Sequence, residues 1–200
     1  MALPEKIHLV DNDGSLVRAW SDTLRDLPVF APQRRDYFEV EADAMVSPAN
    51  SFGVMDGGLD MAIQLTLGPT IQKRVRERIE ERHHGELPIG VAEIVETGDA
   101  RWPFLIAAPT MRVPEDVSRT VNAYVAFRAI LLAIRTHNTT SGAKPIRTLL
   151  CSGLATGVGG MPPRRCAMQM RLAYQQITGT PSLPSFESIH VAHGRMRTET

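Results

Sequence analysis

The sequence has few cysteines, no excess charge of either sign and no long apolar run. Its two cysteines, Cys151 and Cys166, make no disulfide framework and lack the spacing of a metal site. The 22 basic residues balance the 22 acidic ones, which argues against a general attraction to nucleic acid or to anionic membranes. No apolar segment is long enough to span a bilayer, and the first residues lack the apolar core of a signal peptide. We therefore expect a soluble, cytoplasmic protein that has no membrane partner, no metal and no cofactor.

The chain does contain enough apolar residues for one buried core. It has 200 residues, of which 43% are hydrophobic, and this length and composition are typical of a single globular domain. We expect residues 1–200 to form one domain. Residues 1–34 are expected to form an N-terminal strand–helix extension of it.

Apolar patterning predicts strands that alternate with helices. The predicted strands cover residues 6–10, 28–30, 37–40, 44–46, 91–97, 104–108, 146–151 and 188–192. The predicted helices cover residues 15–27, 114–136 and 162–177, together with a stretch after residue 60 that is interrupted at 68–69 and resumes over 70–83. This alternation is typical of a three-layer α/β/α sandwich with a mixed, mostly parallel sheet.

Residues 43–60 combine a short apolar segment, a glycine-rich turn and the start of a helix. A loop of this kind presents backbone N–H groups and the positive end of a helix to an anion, so it predicts a phosphate cradle. The loop also carries the Asn50 carboxamide and the carboxylates of Asp56 and Asp60. Phosphate binding needs none of these three groups, so we expect the loop to do more than hold phosphate.

A second glycine-rich loop spans residues 152–162, between a predicted strand and a predicted helix. Ligands of α/β sheets bind at the carboxyl ends of strands, and both loops fall at such ends. Two facing loops of this type could hold a diphosphate from both sides. A P-loop is excluded because no Lys-Ser or Lys-Thr pair follows the glycines, and neither loop has the dinucleotide-binding pattern G-x-G-x-x-G.

These residues resemble the signatures of the macrodomain family. Val-Ser-Pro-Ala-Asn at 46–50, followed by Gly-Gly-Leu-Asp at 57–60, is similar to the family's Val-Asn-Ala-Ala-Asn run, glycine cluster and Val-Asp helix start. Residues 152–162 resemble its second loop, and residues 35–37 resemble the Gly-Asp-Ile element that precedes the first. The resemblance covers about residues 36–192. It implies a domain that binds ADP-ribose. The motif sequences Ser-Pro-Ala-Asn-Ser-Phe-Gly and Met-Asp-Gly-Gly resemble those of a bacterial and phage-like branch of the family.

The resemblance also implies roles for individual residues. Asp36 corresponds to the acid that accepts a hydrogen bond from the adenine amino group, and the backbone near Tyr37 contacts the same ring. Asn50 corresponds to the asparagine that orients the distal ribose, and Asp60 to the aspartate that activates a water or positions the substrate for it. The implied diphosphate-binding residues are Gly57 and Gly58 in the first loop and Thr156, Gly157, Val158 and Gly159 in the second.

Several positions depart from the family pattern. Ser47-Pro48 replaces the usual Asn-Ala, and Arg35 replaces the glycine before the adenine-binding acid. Met55-Asp56 replaces a glycine of the cluster, which adds a carboxylate near the expected phosphates. Gly159 stands where the family has an aromatic residue against the distal ribose, and its small size predicts a wider pocket.

Three functions therefore stay open on the sequence. The first is an enzyme that hydrolyses an ADP-ribose linkage or ester with Asn50 and Asp60, acting on ADP-ribose, a related nucleotide or an ADP-ribosylated macromolecule. The second is a reader or scavenger that binds ADP-ribose or a related nucleotide without catalysis, which the loss of the aromatic at Gly159 favours. The third is a different nucleotide-binding enzyme built around Asp11, which follows the first predicted strand as a ribose-binding acid does in a Rossmann fold. The simpler interpretation of that N-terminal unit is a strand and helix that flank the sheet.

Overall fold

A computed structural model describes residues 3–140 and 144–198. Its strands are β1 (Lys6–Asp11), β2 (Phe30–Arg34), β3 (Ala44–Ser47), β4 (Glu93–Glu96), β5 (Phe104–Ala107) and β6 (Thr148–Cys151). Its α-helices are α1 (Gly14–Thr23), α2 (Gly58–Leu67), α3 (Thr70–His83), α4 (Asn122–Thr140), α5 (Pro163–Thr178) and α6 (Phe186–Thr198). A 3₁₀ turn covers Tyr37–Glu39.

The six strands form one sheet in the order β2-β1-β6-β3-β5-β4. All neighbouring strands run parallel except β4 and β5, which are antiparallel. The expected mixed, mostly parallel sheet is therefore confirmed. Because the parallel strands run in one direction, the loops that follow β1, β3 and β6 meet at a single edge of the sheet.

Helices cover both faces of the sheet, as the alternation of elements predicts. One hydrophobic core lies between the sheet and α1, α4 and α5, and Trp20 and Phe127 are among its fully buried side chains. A second core lies under α2 and α3, where Ile63, Ile71 and Ile79 pack against the sheet. Within the central strands, neighbouring residues enter opposite cores, for example Met45 and Val46 of β3. Among the described residues, no helix is long and apolar enough to cross a membrane.

The N-terminal unit is part of this sheet. β1 pairs with β2 on one side and with β6 on the other, so it is an interior strand rather than a flanking addition. Asp13 caps the N-terminus of α1, because its side chain accepts a hydrogen bond of 2.8 Å from the backbone N–H of Ser15. This interior position carries the end of β1, at Asp11, to the same edge of the sheet as the two glycine-rich loops.

Two predicted strands are wrong. Residues 37–39 of the predicted strand 37–40 form the 3₁₀ turn, because Asp36 accepts a hydrogen bond from the backbone N–H of Phe38 and Tyr37 turns inward into the second core. Residues 188–192 belong to α6, which packs on α5 and carries the partly exposed apolar residues Ile189 and Val191. Their alternation with polar residues imitates a strand, but their side chains lie on a helix surface.

Other elements differ at their boundaries, and α1 ends at Thr23 rather than at residue 27. The strand predicted at 28–30 lies at Phe30–Arg34, where it pairs with β1. The helix predicted from residue 114 begins only at Asn122, because the Asp116 carboxylate and the Thr120 hydroxyl accept hydrogen bonds from the backbone N–H groups two residues ahead of them. These side chains hold residues 114–121 as a loop, in which Val117 donates a backbone hydrogen bond to Gly159 of the second glycine-rich loop.

Candidate functional site

A cavity of about 530 Å³ opens at the carboxyl ends of β1, β3 and β6. Its walls come from the loop after β3, the first turn of α2, the loop after β6 and the segment around residues 110–114. This volume lies within the range of small-molecule and cofactor sites. The two loops that the sequence singled out therefore do face each other across one cavity.

The Asn50 side chain closes the first loop. Its Nδ2 donates a hydrogen bond of 2.7 Å to the carbonyl of Val54, while its Oδ1 accepts from the backbone N–H groups of Phe52 and Val54 at 3.1 and 3.3 Å. Both lone pairs of the amide oxygen and one of its two N–H bonds are thus used within the loop. Asn50 lines the cavity, and its carboxamide retains one N–H that can donate to a ligand.

The first turn of α2 lines the cavity and has no side-chain cap. Gly57 is the N-cap residue, and no side chain caps the helix there. The next residue, Gly58, has a φ of +55°, a left-handed conformation that favours glycine. A Cβ atom at either glycine would meet no atom within 4 Å, so side chains do not crowd this turn. The first N–H groups of a helix have no partner within the helix and favour an anion.

Asp60 lies in the first turn of this helix and is buried, with 9% of its surface exposed. The Ser47 hydroxyl, at the end of β3, donates a hydrogen bond of 2.6 Å to its Oδ1. Burial raises the pKa of Asp60 to about 6, and the hydrogen bond from Ser47 opposes this rise. The second carboxylate oxygen accepts no hydrogen bond from residues 3–140 or 144–198, and the residue lines the cavity.

The second loop places Thr156, Gly157, Val158 and Gly159 along the opposite wall. Gly157 and Val158 form its exposed tip, and Val158 is 68% exposed. Ala155, which precedes this tip, has a φ of +62°. Its carbonyl accepts a hydrogen bond of 2.9 Å from the N–H of Met161, which closes the loop. Such a conformation costs a non-glycine residue free energy and occurs most often near functional sites.

Gly159 does not widen the cavity as expected. A Cβ atom at this position would lie 2.6 Å from the carbonyl oxygen of Ala155 and 2.7 Å from Cγ2 of Val117. The space of the missing side chain is therefore filled by the segment before α4. Glycine is needed here so that this segment can pack against the loop.

Of the two residues expected to bind adenine, one lines the cavity and the other does not. Tyr37 lines the cavity, but its buried hydroxyl bonds the backbone of Val46 and Leu150, so the ring braces β3 against β6. Burial raises the pKa of the Tyr37 hydroxyl well above its ordinary value. Asp36 is exposed, lies outside the cavity lining and uses one carboxylate oxygen to cap the 3₁₀ turn.

Carboxylates dominate the charge of the cavity. Asp11, Asp13, Asp56 and Asp60 line it, and Arg35 is the single Lys or Arg side chain among the described residues that does so. An anionic ligand here must therefore rely on backbone N–H groups more than on cations. No group of three or more His, Cys, Asp or Glu residues in the described part of the chain is arranged to hold a metal ion.

Sequence reasoning did not single out Ser47 or Ser152 as functional, although both line or support the cavity. Each stands at or just after the carboxyl end of a buried strand, and this position is the feature of the sequence that could have marked them as site residues. Ser47 appeared only as a departure from a pattern, and its hydrogen bond to Asp60 depends on how α2 packs against β3.

Comparison with known proteins agrees with this architecture. The family model described as Macro domain matches residues 46–170. An uncharacterised protein of Aquifex aeolicus is 33% identical over 132 residues, which cover 66% of this chain and 72% of the relative. A macro domain-containing protein of Listeria monocytogenes is 30% identical over 134 residues, which cover 66% of this chain and 70% of the relative.

Solved structures share the fold at low sequence identity. The macrodomain of Mycobacterium tuberculosis DarG has a TM-score of 0.59 at 22% identity, covering 76% of this chain and 95% of that one. A variant of the Oceanobacillus iheyensis macrodomain, solved with ADPR, has a TM-score of 0.59 at 16% identity, covering 80% and 88%. The same macrodomain with ADP has a TM-score of 0.54 at 18% identity, covering 78% and 83%.

Proposed function

Because the chain belongs to the Macro domain family, we propose that it binds ADP-ribose in the cavity between its two glycine-rich loops and hydrolyses an ADP-ribose linkage or ester. The diphosphate is held by backbone N–H groups of the Gly57–Gly58 turn and of the loop from Thr156 to Gly159. The adenine lies toward Tyr37, with Asp36 or Asp11 as the acid for its amino group. The terminal ribose lies toward Asn50 and Asp60. Residues 1–200 act as one domain, with 1–34 as its N-terminal strand–helix unit.

One observation carries the catalytic part of this proposal: Asp60 is a buried carboxylate with a free oxygen on the cavity wall. Its raised pKa of about 6 places it near neutral pH, where a general base works best. In the proposed step, Asp60 accepts a proton from a water whose oxygen attacks the carbon of the scissile bond. That bond breaks, its electron pair leaves with the departing group, and that group takes up a proton while Asp60 releases the one it accepted. Ser47 holds the other carboxylate oxygen and fixes the orientation of the base.

A second function, binding without hydrolysis, is favoured by the state of Asn50. Its carboxamide is already engaged in three hydrogen bonds of its own loop, so it retains little capacity to orient a ribose. In that case the protein is a reader or scavenger of ADP-ribose or a related nucleotide, and Asp60 serves recognition.

Calorimetry and hydrolysis assays separate these functions. Titration of the wild-type protein with ADP-ribose tests binding. Incubation with ADP-ribosylated protein, ADP-ribosylated nucleic acid and O-acetyl-ADP-ribose tests turnover, with Asp60→Asn as the inactive control. Turnover that Asp60→Asn abolishes supports the enzyme, and binding without turnover of any of the three supports the reader. Absence of binding at millimolar ADP-ribose would overturn both.

A further inference from the structure

Ser152 carries a buried hydroxyl that has no hydrogen-bond partner within residues 3–140 and 144–198. It is the first residue after β6 and the first residue of the second glycine-rich loop, it lines the cavity, and only 7% of it is exposed. Among the described residues, its Oγ is one of two buried side-chain polar atoms without a partner. The other, Nε1 of Trp20, belongs to a residue that does not line the cavity.

The strand order places Ser152 in the middle of the cavity floor. β6 lies between β1, which ends at Asp11, and β3, which leads to Asn50. Met45 of β3 is paired with Leu150 of β6, and beyond this pair the Tyr37 hydroxyl hydrogen-bonds the backbone of both strands. Ser47 and Ser152 therefore stand at the carboxyl ends of two neighbouring strands. The hydroxyl of Ser47 is already bonded to Asp60, so the hydroxyl of Ser152 is the one of this pair that remains unused.

A buried polar group without a partner is unfavourable in the empty protein. A serine hydroxyl turns about a single bond, so a ligand that brings an acceptor into the cavity can engage it without movement of the backbone. The hydrogen bond formed is also stronger than one in water, because the floor of the cavity has a low dielectric constant. The unpaired Ser152 hydroxyl is therefore a group to which a bound ligand can supply the missing hydrogen-bond acceptor.

We propose that Ser152 is a further ligand-binding residue, whose hydroxyl donates a hydrogen bond to a phosphate oxygen of the nucleotide. This rests on the proposed function. Gly57 and Gly58 at the start of α2 and the second loop line the same cavity as Ser152, and a diphosphate held between the two loops is the acceptor that the Ser152 hydroxyl would meet. Arg35 is the single Lys or Arg side chain among the described lining residues, so few cations are available to a phosphate. The neutral Ser152 hydroxyl then adds one hydrogen bond to those that backbone N–H groups donate.

The test compares wild-type protein with Ser152→Ala by calorimetry against ADP-ribose, ADP and adenosine. We expect the variant to bind ADP-ribose and ADP about tenfold more weakly, which is the scale of one hydrogen bond to a charged group. Adenosine has no phosphate, so its affinity stays unchanged. The melting temperature of the ligand-free variant stays equal or rises, since the substitution removes an unpaired buried hydroxyl.

Two further variants sharpen the result. Ser152→Cys has nearly the same shape but is a weak donor, so it shows the same loss even if the alanine variant folds poorly. Ser188→Ala, on the exposed helix α6, is the matched control and leaves binding unchanged. Wild-type affinity of both Ser152 variants for ADP and ADP-ribose would overturn the assignment, as would an equal loss of adenosine binding. Failure of the wild-type protein to bind ADP-ribose or ADP would instead overturn the proposed function itself.

Discussion

The Ser47 hydroxyl lies 2.6 Å from Oδ1 of Asp60 and joins the end of β3 to the first turn of α2. Both side chains are buried, so this hydrogen bond forms where water contributes little. It stabilises the ionised form of Asp60, while burial favours the neutral form more strongly and raises the pKa to about 6. The charge of the cavity floor therefore changes between weakly acidic and neutral pH.

The first prediction concerns the pH dependence of stability. The pKa of Asp60 is raised from 3.8 to about 6 in the folded protein, so its contribution to stability is fully present below pH 3.8 and is lost as the pH rises through 6. The loss amounts to about 3 kcal/mol at neutral pH. In Asp60→Asn this loss disappears, and we expect the variant to gain stability relative to wild type between pH 4 and pH 7.

Urea unfolding at a series of pH values measures this difference in the free energy of unfolding. Asp22→Asn, on the exposed surface of α1, is the matched control and should follow the wild-type curve. A constant difference between wild type and Asp60→Asn from pH 4 to pH 7 would show that Asp60 does not titrate in this range.

The second prediction concerns Ser47→Ala. Removal of the donor leaves Asp60 buried without this hydrogen bond, so the pKa of Asp60 rises further. We expect a loss of about 1–3 kcal/mol in the free energy of unfolding at pH 7.5, and a smaller loss at pH 4.5, where the carboxyl group is neutral in both proteins. If the protein is a hydrolase, the acidic limb of its pH–rate profile moves to higher pH. Ser21→Ala, on the exposed face of α1, is the control, and an equal loss at both pH values would contradict the role assigned to Ser47.

The third prediction separates architecture from catalysis at Asn50. Asn50→Ala removes three hydrogen bonds that close the first loop, so we expect about 1–3 kcal/mol of lost stability. Because the loop forms one wall of the cavity, affinity for ADP falls together with affinity for ADP-ribose. Calorimetry with both nucleotides and thermal unfolding measure these effects. A variant with wild-type stability and ADP affinity, but without turnover, would identify Asn50 as catalytic only.

The fourth prediction compares two glycines of the second loop. In Gly159→Ala the new Cβ atom meets the carbonyl of Ala155 and the side chain of Val117, so we expect a loss of about 1–3 kcal/mol and weaker nucleotide binding. In Gly157→Ala the new atom meets nothing within 4 Å, and stability should change by less than about 0.5 kcal/mol. Thermal unfolding of the pair, followed by calorimetry, provides the measurement. Equal stability of the two variants would contradict the close packing at Gly159.

The sequence by itself determined the fold class and the position of both loops. Continuous apolar runs such as residues 104–107 and 148–151 are buried on both faces of a parallel sheet, and the glycines after buried strands mark the ligand-binding edge. The pairing of Asp60 with the first loop also follows, because strand, turn and helix are adjacent in the chain. These features depend on local pattern and on short separations.

Only the tertiary structure decided what the side chains do. The Asn50 carboxamide forms three hydrogen bonds within its own loop and retains one N–H. The place of a side chain at Gly159 is filled by a segment some forty residues earlier in the chain, and the Ser152 hydroxyl has no hydrogen-bond partner among the described residues. None of this follows from residue type, because the conformation of each loop and the packing around it decide which atoms reach these side chains. Strand order likewise brought Asp11 to the cavity, since β1 pairs with β6 across more than a hundred residues of chain. Local sequence sets the elements, and long-range packing sets the hydrogen bonds, burial and pKa values on which function depends.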